Sequence, residues 1–558
     1  MTGSGTPDPQ LDPAWPADNP PSDRWPIYTR GNIGEVYPEV VLPLEWDFAG
    51  RPSERGWRRG AEHIGFAVPS DYGPEDFVIM GVFGGYAYFN ASVMRLLGVR
   101  TPGLSVDVID TQFLGDADVP AYSPRRGDRN PAATARMVRS AARTILARTV
   151  PRAQEMRKRV DARRAAAPST DAPDDVLWQF MTDDFASQWE YLIAGHVIIT
   201  MQATIAAGML ADLCESKLGD PNLAVALMTG IGEVVSAEPA REIWQLANAT
   251  PPDEFDAAFA TFLGRHGHRG PNEFSMAGRD WAAFPEVANA AIDTMRGADP
   301  ERSPGEQARR IDAERAQVLA DARRTMGWQA RRLDKAMAST ALWSRAREYS
   351  KDAVIRFVQP SRHAYLELID RARRRGGVED RIGPLLVDRA EFLAYLSDPP
   401  SMVSVIEQRR ATHERLQSLE PPFAFDAGAH AGGPPTISSW AARRAGTATV
   451  QSGQVLTGIA AAPGIARGRA RTVSDPGDPA ALEPGDVLIA ALTDPAWTPL
   501  FVTAGAVVVE VGAAMSHAMI VSRELGIPCV VGVADATTAI PDGAEIEVDG
   551  QAGTVRIL

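Results

Sequence analysis

The chain is 558 residues long, 45% hydrophobic and 23% charged, with a formal net charge of −14. That length exceeds what one hydrophobic core serves, so several domains are expected, of ordinary soluble globular composition. The acidic balance argues against a general nucleic-acid binder, whose affinity comes from a basic surface, and the two distant cysteines, Cys214 and Cys529, suggest neither a disulfide framework nor a zinc site.

Residues 1–25 are rich in proline and aspartate, lack an apolar signal core, and are expected to form a loose, disordered tail. Residues 26–110 read as loops, short extended pieces and helix starts. From about Arg136 to Arg415 the pattern is helical, with arginine- and alanine-rich segments alternating with apolar ones. The most apolar stretch, Tyr191 to Leu210, approaches membrane-spanning length. It contains His196 and Gln202 and follows the polar run DDFASQWE, which predicts a buried helix of a soluble bundle, no membrane partner and a cytoplasmic location. Residues 420–454 are dense in glycine, alanine and proline and read as a flexible linker. Short β-branched runs between glycine and proline turns then predict a compact α/β unit over 455–558. The expected architecture is a large, mainly α-helical domain over 26–419, then this small α/β domain.

Within the small unit, the run AVVVEVGAAMSHAMIVSRELGIP places His517 at the start of a one-sided helix. Ser516 reads as its N-cap and Gly526 as its stop, while Gly512 and its alanine neighbours keep the approach clear. In the first turn, free backbone N–H groups and the helix dipole favour an anion and keep the imidazole neutral. A neutral imidazole there can attack a phosphoryl group. Local geometry leaves this reading level with a structural histidine capping a helix.

The segment GAAMSHAMIVSRELGIPCVVG, with GIAAAPGIARGRARTV and TDPAWTPLF before it, resembles the swivelling phosphohistidine domain of the phosphoenolpyruvate-utilising enzymes. The resemblance implies that His517 is phosphorylated at one site and swings to another, with Gly512, Ser516 and Arg523 in the phosphohistidine loop.

The loop FLGRHGHRGPNEFSMAGRDW, residues 262–281, packs two histidines, an arginine and a glutamate around a tight turn. These types can fix a phosphate, move a proton and hold a carboxylate base; composition alone favours a solvated loop, and a His-x-His metal site has no companion at ligand spacing except Glu273. The loop resembles the acceptor-domain motif of the rifampin phosphotransferase family, as do YTRGNIGEVYPEVVLPLEWDF and REYSKDAVIRFVQPSRH. Glu45 and Leu44 depart from the threonines usual in the first of these. The resemblance implies a catalytic set of His517, His268, Arg269 and Glu273, with His268 taking the acceptor's proton and Arg269 steadying the phosphoryl group. His266, Arg347, Lys351 and Arg362 are further acceptor-binding candidates, although i,i+3 and i,i+4 pairing with Glu348 and Asp352 is the favoured account of the helical cations.

Before the acceptor-like domain the sequence holds no ATP-grasp module, and it has only four lysines and no Walker A motif. The expectation is therefore a split phosphotransferase, organised like phenylphosphate synthase. A separate ATP-grasp partner would load His517 from ATP, with magnesium, and the small domain would deliver the phosphoryl group to a small organic hydroxyl or carboxyl compound. Two alternatives stand beside it: a ligase or dehydratase subunit in which the phosphorylated acceptor is an intermediate, and a non-catalytic regulatory phosphohistidine protein.

Overall fold

The computed structural model describes residues 15–558 except 74, 116, 221, 229–237, 298–299, 301–302, 429–436, 441–452, 475–481, 494–496 and 511–515. The chain opens with strand β1 (Ile27–Thr29), helices α1 (Pro43–Ile64) and α2 (Pro69–Tyr72), the hairpin β2 (Met80–Phe83) and β3 (Tyr86–Asn90), and helix α3 (Ala91–Arg100). Helices α4 (Val106–Phe113), α5 (Pro131–Leu146), α6 (Pro151–Ala165) and α7 (Asp174–Thr182) lead into the 34-residue helix α8 (Phe185–Leu218). Next come α9 (Asn222–Met228), α10 (Glu238–Asn248), α11 (Phe255–His266), α12 (Pro285–Met295) and α13 (Pro304–Met326). Helix α14 (Ala330–Arg374) runs for 45 residues and is followed by α15 (Arg389–Ser397) and α16 (Pro399–Gln417).

Close approach of α1 and α8 organises the helical core. A Cβ at Gly56 would lie 2.8 Å from Ile193, and one at Gly60 2.5 Å from Val197, so only glycine lets the two backbones meet there. The apolar stretch of α8 is thereby sandwiched between α1 and α14. It is the one helix among the described residues long and apolar enough to cross a membrane, and its Leu192, Val197, Ile198 and Ile199 belong to the protein interior.

Two expectations about chain ends and joints need correction. Residues 15–25 of the expected tail are anchored: Trp15 and Trp25 are buried, and their indole nitrogens donate to the carbonyls of Val41 at 2.6 Å and Asp71 at 2.9 Å. Two indoles bring enough apolar surface to fix a proline-rich segment that composition alone leaves loose. The expected linker also begins inside the fold. Strand β4 (Ala424–Asp426) pairs antiparallel with β1, closing a four-stranded sheet of order β2-β3-β1-β4. Phe425 fills the cluster of Tyr28, Phe83 and Tyr88. Residues 429–436 and 441–452 of that stretch lie outside the described residues.

The C-terminal unit contains β5 (Val455–Thr457), β6 (Ile459–Ala462), β7 (Ile465–Thr472), β8 (Val487–Ala490), α17 (Thr498–Thr503), β9 (Ala506–Val509), α18 (His517–Leu525), β10 (Cys529–Val531), α19 (Ala536–Ala539), β11 (Glu545–Asp549) and β12 (Thr554–Ile557). Its eight strands, among the described residues, run in the order β5-β12-β11-β7-β8-β9-β10-β6. The central β7-β8-β9-β10 set is parallel, which matches the near-continuous apolar runs of β8 and β9. One face of this sheet does not close on its own helices alone. Phe262, Trp281, Ile292 and Met295 of the helical domain share a single apolar core with Leu500, Phe501, Met519 and Leu525. Gly526, the left-handed stop of α18, lies against Ile311 of α13.

Candidate functional site

His517 is the first residue of α18. Ser516 caps that helix, its hydroxyl accepting from the Met519 N–H at 3.3 Å, because its extended backbone turns the side chain back over the first turn. The imidazole is only 7% exposed. Phe501 meets it edge-on, with 5.6 Å between ring centroids, and Nδ1 is hydrogen-bonded with the Thr493 hydroxyl at 3.2 Å. Nε2 is buried with no hydrogen-bond partner among the described residues. Burial, then the positive charges of Lys351 and Arg269, hold the ring well below the ordinary histidine range, so it is a neutral nucleophile. Both of those cations belong to the helical domain, against which the C-terminal unit packs.

That loop is organised by a carboxylate on α14. Asp352, with a fully buried side chain, receives His268 Nε2 at 2.8 Å, Arg269 at 2.9 Å, Arg356 at 2.6 Å and Arg157 at 3.0 Å. Burial alone would push this carboxyl up, but the His268 hydrogen bond and the Arg269 charge hold it well below the usual carboxylate range. Glu273 holds the other side of Arg269 at 3.1 Å. His268 Nδ1 and Arg269 Nε are buried without hydrogen-bond partners among the described residues. Burial lowers the His268 pKa to about 3 against the raising effect of Asp352, so His268 is neutral. Gly270, at φ 153°, lies so close to Arg279 that a Cβ would sit 2.2 Å from its carbonyl oxygen; this fixes the turn that presents Arg269.

The remaining sequence candidates separate. Lys351 follows Ser350 and precedes Asp352 on α14, is half-buried, and has no ion-pair partner among the described residues. Arg347 lies one turn before it, 3.4 Å from Glu348. Arg362 does not offer a free cation. It is 1% exposed and spends its guanidinium on Asp280 and on the carbonyls of Glu273 and Ser275, so it braces the loop instead of meeting an acceptor. His266 is buried 3.4 Å from Glu242 and against the Phe262 ring, behind the loop. Arg523 donates to the Ala461 carbonyl at 2.6 Å and fastens α18 to β6. Gly512 lies outside the described residues. Among those residues no group of three His, Cys, Asp or Glu side chains is arranged to hold a metal ion.

Three contributors carry little sequence signal. Asp352 reads locally as an i,i+4 helix partner, and Thr493 as part of a turn. Glu45, which replaces a usual threonine, accepts from the Ser275 hydroxyl and the Met276 N–H, each at 2.6 Å, and so pins the far end of the loop. Burial pushes its carboxyl up to about 7.

Two stretches of the chain match models of known families: residues 482–553 match the PEP-utilising enzyme mobile domain, and residues 195–348 the rifampicin phosphotransferase fourth domain. The chain thus carries one stretch similar to the mobile domain of the PEP-utilising enzymes and one similar to the fourth domain of rifampicin phosphotransferase. The first match contains His517 and the second contains the loop with His268 and Arg269. Among relatives, an uncharacterised protein of Mycobacterium tuberculosis is 33% identical over 58% of this chain and 33% of its own length. A rifampicin phosphotransferase from a Streptomyces species is 29% identical over 63% of this chain and 44% of that protein. The prodigiosin synthesizing transferase PigC of Serratia marcescens is 32% identical over 35% of this chain and 22% of its own. The chain thus spans less than half the length of these relatives.

Proposed function

We propose that this chain is the phosphocarrier and acceptor-binding component of an ATP-dependent phosphotransferase. Nε2 of His517 carries the phosphoryl group, and the helical domain holds a small organic hydroxyl or carboxyl compound to receive it. The observation that carries the reading is a neutral, buried imidazole with one nitrogen committed to Thr493 and the other without a partner among the described residues, lying under the charges of Lys351 and Arg269. A phosphoryl group on Nε2 would meet two cations there, one of them a guanidinium held from both sides by Asp352 and Glu273. Cations fixed before reaction stabilise the charge on the equatorial oxygens at little reorganisation cost. Breaking the P–N bond returns its electron pair to Nε2, and the acceptor oxygen forms the new P–O bond.

Loading is assigned to an ATP-grasp protein on a separate chain, using ATP and magnesium. After loading, the mobile domain undocks from one site and docks at the other. The likeness to a prodigiosin synthesizing transferase supports a second reading of the same chemistry. In it the phosphorylated acceptor is consumed by a further bond-forming step, and product analysis separates the two.

The test is to purify the chain with its co-purifying proteins and supply ATP labelled at the β or the γ phosphorus. Acid-labile label on His517, requiring the partner and absent in His517→Asn, is expected. Turnover that survives His517→Asn sinks the phosphocarrier reading, and label acquired by the isolated chain sinks the separate loader.

A further inference from the structure

Beside the loop after α11, the helical domain has an open cleft of about 450 Å³, a volume that suits a small organic molecule. Leu177 of α7, Leu263 of α11 and Pro360 of α14 give it apolar walls, and Arg164, Gln359 and His363 line it with polar groups. Gln359 and His363 are four residues apart, so they share one face of α14. Gln359 is only 5% exposed, yet its amide has no hydrogen-bond partner among the described residues. A buried amide left in that state is costly, and a ligand in the cleft would relieve it. Arg164, in the last turn of α6, is half-buried and has no ion-pair or hydrogen-bond partner among the described residues. Burial, then the charges of Arg356 and Arg157, work against its guanidinium. The carboxylates that offset them are already committed, Asp161 to Arg157, and Asp352 to His268 and three guanidinium groups. The cleft therefore joins a surplus of positive charge to an apolar wall and an unmatched amide.

We propose that this cleft binds a small organic anion with an apolar body, its anionic group on Arg164 and its polar edge on Gln359, and that occupancy steadies the loop after α11. The cleft touches both stems of that loop. Leu263 and Gly264 lie in the last turn of α11, and Ala282 follows the loop, its N–H donating to the Gly267 carbonyl at 2.9 Å. His363 Nε2 lies 3.1 Å from the Asp280 carboxylate, which also holds Arg362, and Arg362 in turn holds the carbonyls of Glu273 and Ser275. A ligand against His363 and Leu263 thus bears on the segment that presents His268 and Arg269. The cleft is separate from the ground around Lys351. Gln359 and His363 follow that lysine by eight and twelve residues, about 12 and 18 Å along α14. The inference therefore does not depend on the phosphocarrier reading.

The experiment titrates the full-length chain with benzoate and with phenyl phosphate by calorimetry at neutral pH, with benzamide as the neutral control. Saturable binding of at least one anion is expected, with benzamide weaker by about ten-fold or more. Tighter benzoate assigns a carboxylate ligand, and tighter phenyl phosphate a phosphate ester. Arg164→Gln removes the cation without stranding a partner, and is expected to weaken the anion by about ten-fold. Gln359→Leu is expected to weaken it by a smaller factor. Hydrogen exchange over residues 263–282 is expected to slow when the anion is added to the wild-type chain, and not in Arg164→Gln. The inference is overturned if neither anion saturates, if benzamide binds as tightly, or if Arg164→Gln keeps wild-type affinity. Affinity lost in Lys351→Gln and kept in Arg164→Gln puts the anion beside Lys351 and overturns it as well. Binding that leaves exchange at 263–282 unchanged overturns the link to the loop.

Discussion

At residue scale, the site is built on one carboxylate. Asp352 compensates Arg157, Arg269 and Arg356 and accepts from His268, with no solvent to share the burden. Removing one partner from such a network leaves buried charge uncompensated and costs about 3–5 kcal/mol. Asp352→Asn is therefore expected to destabilise the protein by about that amount in urea unfolding, and to stop transfer from a charged His517 while leaving charging intact. Retention of wild-type stability would remove Asp352 as the organising residue. Nothing in the local sequence singles it out. An aspartate four residues before an arginine on a helix reads as a surface pair, and only the return of the 268–273 loop makes it a hub.

At the scale of elements, the helix that begins at His517 was the most legible part of the chain. Its serine cap, apolar stripe and glycine stop are all local features, and the structure builds α18 between them. Strand β4 is the opposite case. Ala-Phe-Asp sits in a stretch whose composition reads as linker, and its pairing with β1, about 400 residues earlier in the chain, is decided by the ring cluster around Phe425. Phe425→Ala should cost about 3–5 kcal/mol through the lost ring and the cavity it leaves. Thermal unfolding would show this as a lowered midpoint, with little effect on the C-terminal sheet when that unit is followed separately by hydrogen exchange. A shift confined to the C-terminal unit would contradict the assignment of β4 to the N-terminal sheet. The first residues of the expected linker are thus part of the N-terminal sheet.

Taken as a whole molecule, the chain packs its C-terminal unit against the helical domain around neutral histidines. The docked ring of His517 lies well below pH 6.5 in its acid strength, and His268 stands at about 3. A histidine whose folded pKa is depressed contributes fully above its free value of about 6.5; as pH falls below that, the open or unfolded state binds more protons and the contribution is lost. Docking is therefore expected to weaken progressively below pH 6.5. Small-angle scattering would show a more extended particle at pH 5 than at pH 7.5, and hydrogen exchange would rise first around Phe262, Trp281, Phe501 and Met519, where the two units share their core. An unchanged profile in His517→Asn relative to wild type would show that this histidine is not the titrating element.

The sequence by itself determined the two-part architecture, the α/β character of the C-terminal unit and the position of His517 on its helix. Each rests on periodicity, caps and turns, which act over a few residues. Tertiary structure alone decided which cations meet that histidine, that Arg362 braces a loop, and that His196 is held by Ser350. Those outcomes depend on α8, α14 and the loop after α11 converging from positions far apart in the chain, and on burial that turns ordinary helix charges into a preorganised site.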